Sequence, residues 1–84
     1  MKKNVLITGT STGVGFETAI LFAKNNYKVY ATMRNLKKAD NLKKKITEEN
    51  LDIAILPLDV TKLNSIKSTV ETIIEKDGKI DLLV

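Results

Sequence analysis

The residues best suited to do chemistry in this chain run from Thr8 to Gly15, Thr-Gly-Thr-Ser-Thr-Gly-Val-Gly. The glycines fall as Gly-x-x-x-Gly-x-Gly, and each has a physical task. Gly9 lets the chain turn sharply off a strand, where a Cβ would often clash. Gly13 lets the backbone come close to a pyrophosphate, and Gly15 lets the following helix pack tightly against the sheet. The helix start aims free N–H groups and a partial positive charge at phosphates. Ser11 and Thr12 add hydroxyl donors at the same rim, and Val14 between the last two glycines completes the set. This is chemistry of binding rather than of bond making. A glycine pattern by itself also occurs in purely structural turns; the surrounding order of strand, turn, helix and strand is what singles out a dinucleotide. No Gly-Lys-Ser or Gly-Lys-Thr follows, which argues against a nucleoside-triphosphate loop.

The same reasoning predicts which dinucleotide is bound. An acidic residue about 20 positions past the glycines would hold the ribose hydroxyls of NAD. That place falls near Met33, which is followed by Arg34, and the nearest downstream acid is Asp40. A carboxylate would repel the 2′-phosphate of NADP, whereas a guanidinium pairs with it. Arg34 therefore points to NADP rather than NAD; its alternative is an exposed surface arginine. Further on, Asp59 and Val60 follow a strand candidate; Asp59 alternatively does no more than end that strand.

These residues need elements to position them. Four short apolar runs read as strands: 4–8, 27–32, 52–58 and 80–84, all rich in Val, Ile, Leu or Tyr. The first and third have consecutive apolar residues, as expected of strands covered on both faces. Three helix candidates lie between them. Residues 13–24 place Gly15, Ala19, Phe22 and Ala23 on one face, with Asn25-Asn26 as a stop. Leu36, Ala39, Leu42 and Ile46 give a second stripe. Ile66, Val70, Ile73 and Ile74 give a third, with Thr61 or Asn64 as its cap and Asp77-Gly78 as its end. The order β-α-β-α-β-α-β predicts an α/β fold with a parallel sheet and right-handed crossovers.

With these segments in hand, the chain resembles the short-chain dehydrogenase/reductase family, whose glycine turn is Thr-Gly-x-x-x-Gly-x-Gly. Lys28 to Arg34 resembles the end of that family's second strand, above all in its hydroxysteroid and retinol dehydrogenase branch. Leu58-Asp59-Val60-Thr61 is similar to the segment after the third strand, and Ile80 to Val84 to the fourth strand. The resemblance implies a Rossmann-type sheet of order 3-2-1-4, the first half of a doubly wound fold. It implies that Asp59 accepts a hydrogen bond from the adenine amino group and that the Val60 backbone donates to the ring. The implied cofactor-binding set is Gly9, Ser11, Thr12, Gly13, Val14, Gly15, Arg34, Asp59 and Val60.

The resemblance also implies a catalytic asparagine, serine and Tyr-x-x-x-Lys later in the family's sequence. None is assigned here: Tyr27 is followed four residues on by Ala31 and Tyr30 by Arg34, and both tyrosines read as strand residues. The 84 residues are expected to be the N-terminal, incomplete part of a dinucleotide-binding domain and not to transfer hydride alone. The parent reaction implied is interconversion of an alcohol and a ketone or aldehyde, its small-molecule substrate met only by a complete chain. The alternatives are a non-catalytic nucleotide-binding module and an inert truncated remnant.

Composition sets the outer bounds. Apolar residues are 43% and charged residues 29%, ordinary for a globular protein. There is no cysteine and no histidine, hence no disulfide framework or cysteine metal site. No run approaches the roughly 20 apolar residues of a membrane span. No export signal is visible, so the expected location is cytoplasmic. The net charge of +4 gathers at Lys37, Lys38, Lys43, Lys44 and Lys45. No aromatic residues interleave with them, so a solvated helix face is expected rather than a nucleic-acid surface. The fourth strand would lie at an edge, where exposed apolar side chains invite self-association.

Overall fold

The computed structural model describes residues 2–84. Strands β1 (Asn4–Ile7), β2 (Lys28–Met33), β3 (Ile53–Pro57) and β4 (Leu82–Leu83) form one sheet of order β3-β2-β1-β4. All three pairings are parallel, with Val5 opposite both Val29 and Leu82, and Val29 opposite Ile53. This is the strand order of the first half of a doubly wound, Rossmann-type fold. Helices α1 (Gly13–Lys24), α2 (Asp40–Glu49) and α3 (Leu63–Asp77) make the crossovers. No helix among the described residues is long and apolar enough to cross a membrane.

The alternation of side chains along each strand divides the core in two. Val5, Ile7, Val29, Ala31, Met33 and Ile53 face α1 and α2, meeting Ala19, Ile20 and Leu42. Leu6 and Tyr30 face the other way and meet Ile73 of α3. β1 lies inside the sheet and is buried throughout. β3, expected to be covered on both faces, is only partly so: it is an edge strand, buried at Ile53 and exposed at Pro57.

The helices end where local chemistry requires. α1 stops at Asn25, whose side-chain amide donates to Leu21 O at 2.7 Å, and Asn26 takes φ +67°. α3 stops at Gly78, with φ +80° and its N–H on Ile74 O at 2.8 Å. The start of the second helix differs from its stripe. Asn35 accepts from the Lys37 N–H, and Leu36–Lys38 forms a separate 3-10 turn that leaves Leu36 exposed. The cap expected at Thr61 or Asn64 is not made: Lys62 stands at the N-cap of α3 without a side-chain bond, because Thr61 bonds Asp59 instead. Ile74 is half exposed, and the polar Thr69 is buried in its place, donating to Pro57 O at 2.9 Å. Tyr27 lies just outside β2, its ring edge-on to Phe22 at 4.8 Å between centroids.

β4 is short and exposed, yet firmly docked. The Asn4 N–H donates to Asp81 Oδ2 at 2.7 Å and its side-chain amide to Lys79 O at 3.0 Å. Thr8 donates to Val84 O from both its N–H (3.0 Å) and its hydroxyl (3.3 Å). The clustered lysines are exposed, and Lys45 pairs with Glu49 at 3.4 Å one turn on.

Candidate nucleotide-binding site

The glycine turn leaves β1 at Thr8 and enters α1 at Gly13. Gly9 has φ +64° and Gly13 φ +62°, a left-handed backbone that costs other residues about 1–2 kcal/mol. Gly15 has a different constraint. A Cβ there would overlap the Gly9 carbonyl oxygen and lie 2.7 Å from the Gly9 carbonyl carbon. The helix start is thus packed on the backbone of its own approach loop; close contact with the sheet, the reason drawn from the sequence, is not what forbids a side chain. The first turn of α1 carries no acidic residue, and Thr12 at its N-cap makes no side-chain bond. Its first N–H groups have no intrahelical partners. The partial positive charge at this end is left uncompensated from within the helix.

At the carboxyl ends of β1, β2 and β3 lies a cleft of about 270 Å³ lined by Thr8, Gly9, Arg34, Leu58, Asp59, Val60 and Thr61. Three stretches about 25 residues apart in sequence meet there, bringing together Gly9, Arg34, and the pair Asp59 and Val60 of the expected set. Gly13 and Val14 instead border a separate surface hollow of about 470 Å³ with Glu17, Thr18 and Leu21, on the exposed flank of α1. Val14 is 84% exposed. Ser11 is partly buried and Thr12 exposed.

Arg34 is exposed and joins no ion pair among the described residues, leaving its guanidinium free for a ligand. Asp59 Oδ1 accepts from the Thr61 N–H (3.0 Å) and hydroxyl (2.6 Å). These two bonds hold its carboxyl below the usual carboxylate range against partial burial, with the Arg34 and Lys62 charges helping. The Arg34 charge thus acts on Asp59, which stands just past the end of β3. The Asp59 N–H is in turn bonded to Ser65 Oγ at 2.9 Å, which pins the segment to α3.

Two residues at this end of the sheet escaped the sequence reading. Thr10 and Thr32 are both fully buried. Thr10 donates to Thr32 O from its N–H (3.1 Å) and its hydroxyl (3.0 Å), and the Thr32 hydroxyl donates to Ile7 O at 2.8 Å. No spacing rule flags them, since threonine is an ordinary strand and turn residue and its partners lie 22 to 25 positions away.

Residues 3–84 match the family model described as short chain dehydrogenase, and the chain belongs to that family. It is 36% identical over 85 residues to an uncharacterised oxidoreductase, YxjF, of Bacillus subtilis, covering 100% of this chain and 33% of that protein. It is 34% identical over 82 residues to a 7alpha-hydroxysteroid dehydrogenase of Paraclostridium sordellii, covering 98% of this chain and 31% of that one. Among solved structures it resembles a hydroxysteroid dehydrogenase from Escherichia coli, with a TM-score of 0.88 and 28% identity over 96% of this chain and 34% of that chain. The chain thus spans about a third of the length of these relatives.

Proposed function

We propose that this chain binds NADP(H) and forms the cofactor-holding part of an oxidoreductase that interconverts an alcohol and a ketone or aldehyde. The observation that carries this reading is the cleft at the strand ends, which sets the free Arg34 guanidinium beside Gly9, Asp59 and Val60. A ligand at a switch in strand order of a parallel sheet binds at this end. The residues fit a dinucleotide: the turn of Gly9, Ser11, Thr12, Gly13, Val14 and Gly15 would take the pyrophosphate, and Arg34 the 2′-phosphate. With Oδ1 of Asp59 taken by Thr61, Oδ2 is the oxygen that would receive the adenine amino group, and the Val60 backbone would donate to the ring.

The nicotinamide supplies or accepts the hydride when bound, and this chain's residues hold and orient the molecule that carries it. None of them is assigned a proton-transfer role. The small-molecule alcohol or carbonyl substrate, and a cytoplasmic setting, belong to the same reading for the whole protein. Titration with NADPH and NADH, followed by nicotinamide fluorescence or calorimetry, tests it. Saturable binding is expected for both, tighter for NADPH. Binding of neither would reject the function, and tighter binding of NADH would reject the assignment of NADP.

A further inference from the structure

We infer that Thr10 and Thr32 are positioning residues that hold the glycine turn closed against β2. The consequence for nucleotide affinity rests on the function proposed above; the hold on the turn does not.

The argument starts from burial. Both hydroxyls sit at positions with no solvent exposure. A buried hydroxyl must find a partner or cost free energy. Valine has nearly the same shape, so packing alone does not call for threonine at either place. Threonine commonly satisfies its hydroxyl on its own local backbone. Here both hydroxyls reach across to another element: Thr10 to the Thr32 carbonyl, Thr32 to the Ile7 carbonyl. The Thr32 carbonyl receives two bonds from one residue, the N–H and the hydroxyl of Thr10. Next to it, the Met33 carbonyl accepts the Leu58 N–H at 3.0 Å. The ends of β1, β2 and β3 are thereby laced together immediately below the cleft.

The placement gives this lacing a role. Thr10 follows Gly9, whose left-handed backbone gives the turn no preference of its own for one conformation. Beyond Thr10 the next backbone bond is the long Phe16 N–H to Thr12 O contact, at 3.5 Å. Thr10 is therefore what ties the segment between β1 and α1 to β2. Its anchor, Thr32, lies in β2 two residues before Arg34, which stands just past the strand's end. One carbonyl thus fixes the phosphate-facing turn relative to the arginine.

The test is amide hydrogen exchange on the protein without nucleotide, in Thr10→Val and Thr10→Ser variants. Valine keeps the shape and removes the hydroxyl; serine keeps the hydroxyl. Thr10→Val is expected to speed exchange at the residue-10 amide about tenfold, while the Val29 amide, bonded to Asp52 O in the sheet, stays protected as before. Thr10→Ser should keep wild-type protection. With nucleotide, Thr10→Val should weaken NADPH and NADH alike, about tenfold. Unchanged exchange at residue 10, equal loss in the serine and valine variants, or loss spread equally to Val29 would each overturn the positioning role. If the wild-type protein binds neither nucleotide, the proposed function falls, and the exchange data still decide the tether.

Discussion

Gly15 is packed against the Gly9 carbonyl so closely that no side chain fits between them. A Cβ at position 15 would also stand 3.2 Å from the Thr8 carbonyl oxygen. At Gly9 and Gly13, by contrast, a Cβ would meet nothing, and the left-handed backbone is the only constraint. Gly15→Ala is therefore expected to force the turn open, destabilising the fold by about 1–3 kcal/mol. It should also lower nucleotide affinity more than Gly13→Ala, whose strain is about 1–2 kcal/mol with no displaced backbone. Urea denaturation and NADPH titration of the two variants measure both effects.

Arg34 stands free at the cleft, so its charge is available to a 2′-phosphate. Arg34→Asp is expected to weaken NADPH by roughly 10- to 100-fold, the worth of a charge-assisted hydrogen bond. NADH should lose far less. Equal loss for both, or none for either, would remove Arg34 from the site. Fold stability, read from the urea midpoint, should scarcely change, because the side chain is exposed and in no ion pair among the described residues.

Tyr30 is the largest fully buried side chain, and its hydroxyl donates to the Asp77 carboxylate at the end of α3. Burial, then the bond to Asp77 and its negative charge, push the phenol well above its ordinary value of 10.0. A tyrosine so raised keeps its proton in the folded state while the unfolded chain loses it. Its contribution to stability is whole below about pH 10 and falls as pH rises further. Denaturation midpoints should accordingly drop steeply above pH 10. Tyr30→Phe should flatten that limb, at a cost near neutrality of about 1–3 kcal/mol for the unpaired Asp77.

Leu83 and Val84 are 72% and 53% exposed on the open edge of β4. An unpaired apolar edge is a template for further pairing. The 84-residue chain is expected to associate with rising concentration in sedimentation velocity runs, and Leu83→Lys to suppress that association. Identical profiles for the two would show that this edge is not the contact.

Much of this architecture was legible in the sequence because punctuation and periodicity agreed. Gly13 and Asn25-Asn26 bound α1, Asp77-Gly78 ends α3, and the alternation of elements implies the parallel sheet. The legible parts are local or repeat along the chain. The rest depends on partners far away in sequence. Leu36 fits the stripe of α2, yet the Asn35 side chain diverts the backbone into a 3-10 turn. Thr61 looks like a cap until Asp59 claims it. Tyr30 and Asp77 are 47 residues apart, and Thr10 reaches Thr32 across 22. Nothing in residue type or spacing announces such pairs. At the candidate site, spacing marked the glycine turn, whereas the bonds beneath it and the Asp59 charge beside Arg34 became visible only once three strand ends met.

The bonds from Asn4 to Asp81 and from Thr8 to Val84 join the first strand to the last, across 77 and 76 residues. This separation has a kinetic meaning. β1 meets β2 by closing a far shorter loop, through the pairing of Asn4 with Lys28. Closing the longer loop costs about 1 kcal/mol more chain entropy. The β-α-β unit of β1, α1 and β2 should therefore assemble early, with β4 joining later. During synthesis the glycine turn would be tied to β2 well before the Val84 carbonyl exists to brace Thr8. Until Val84 is made, the glycine turn of the nascent chain would thus be held on its β2 side and still open on the other.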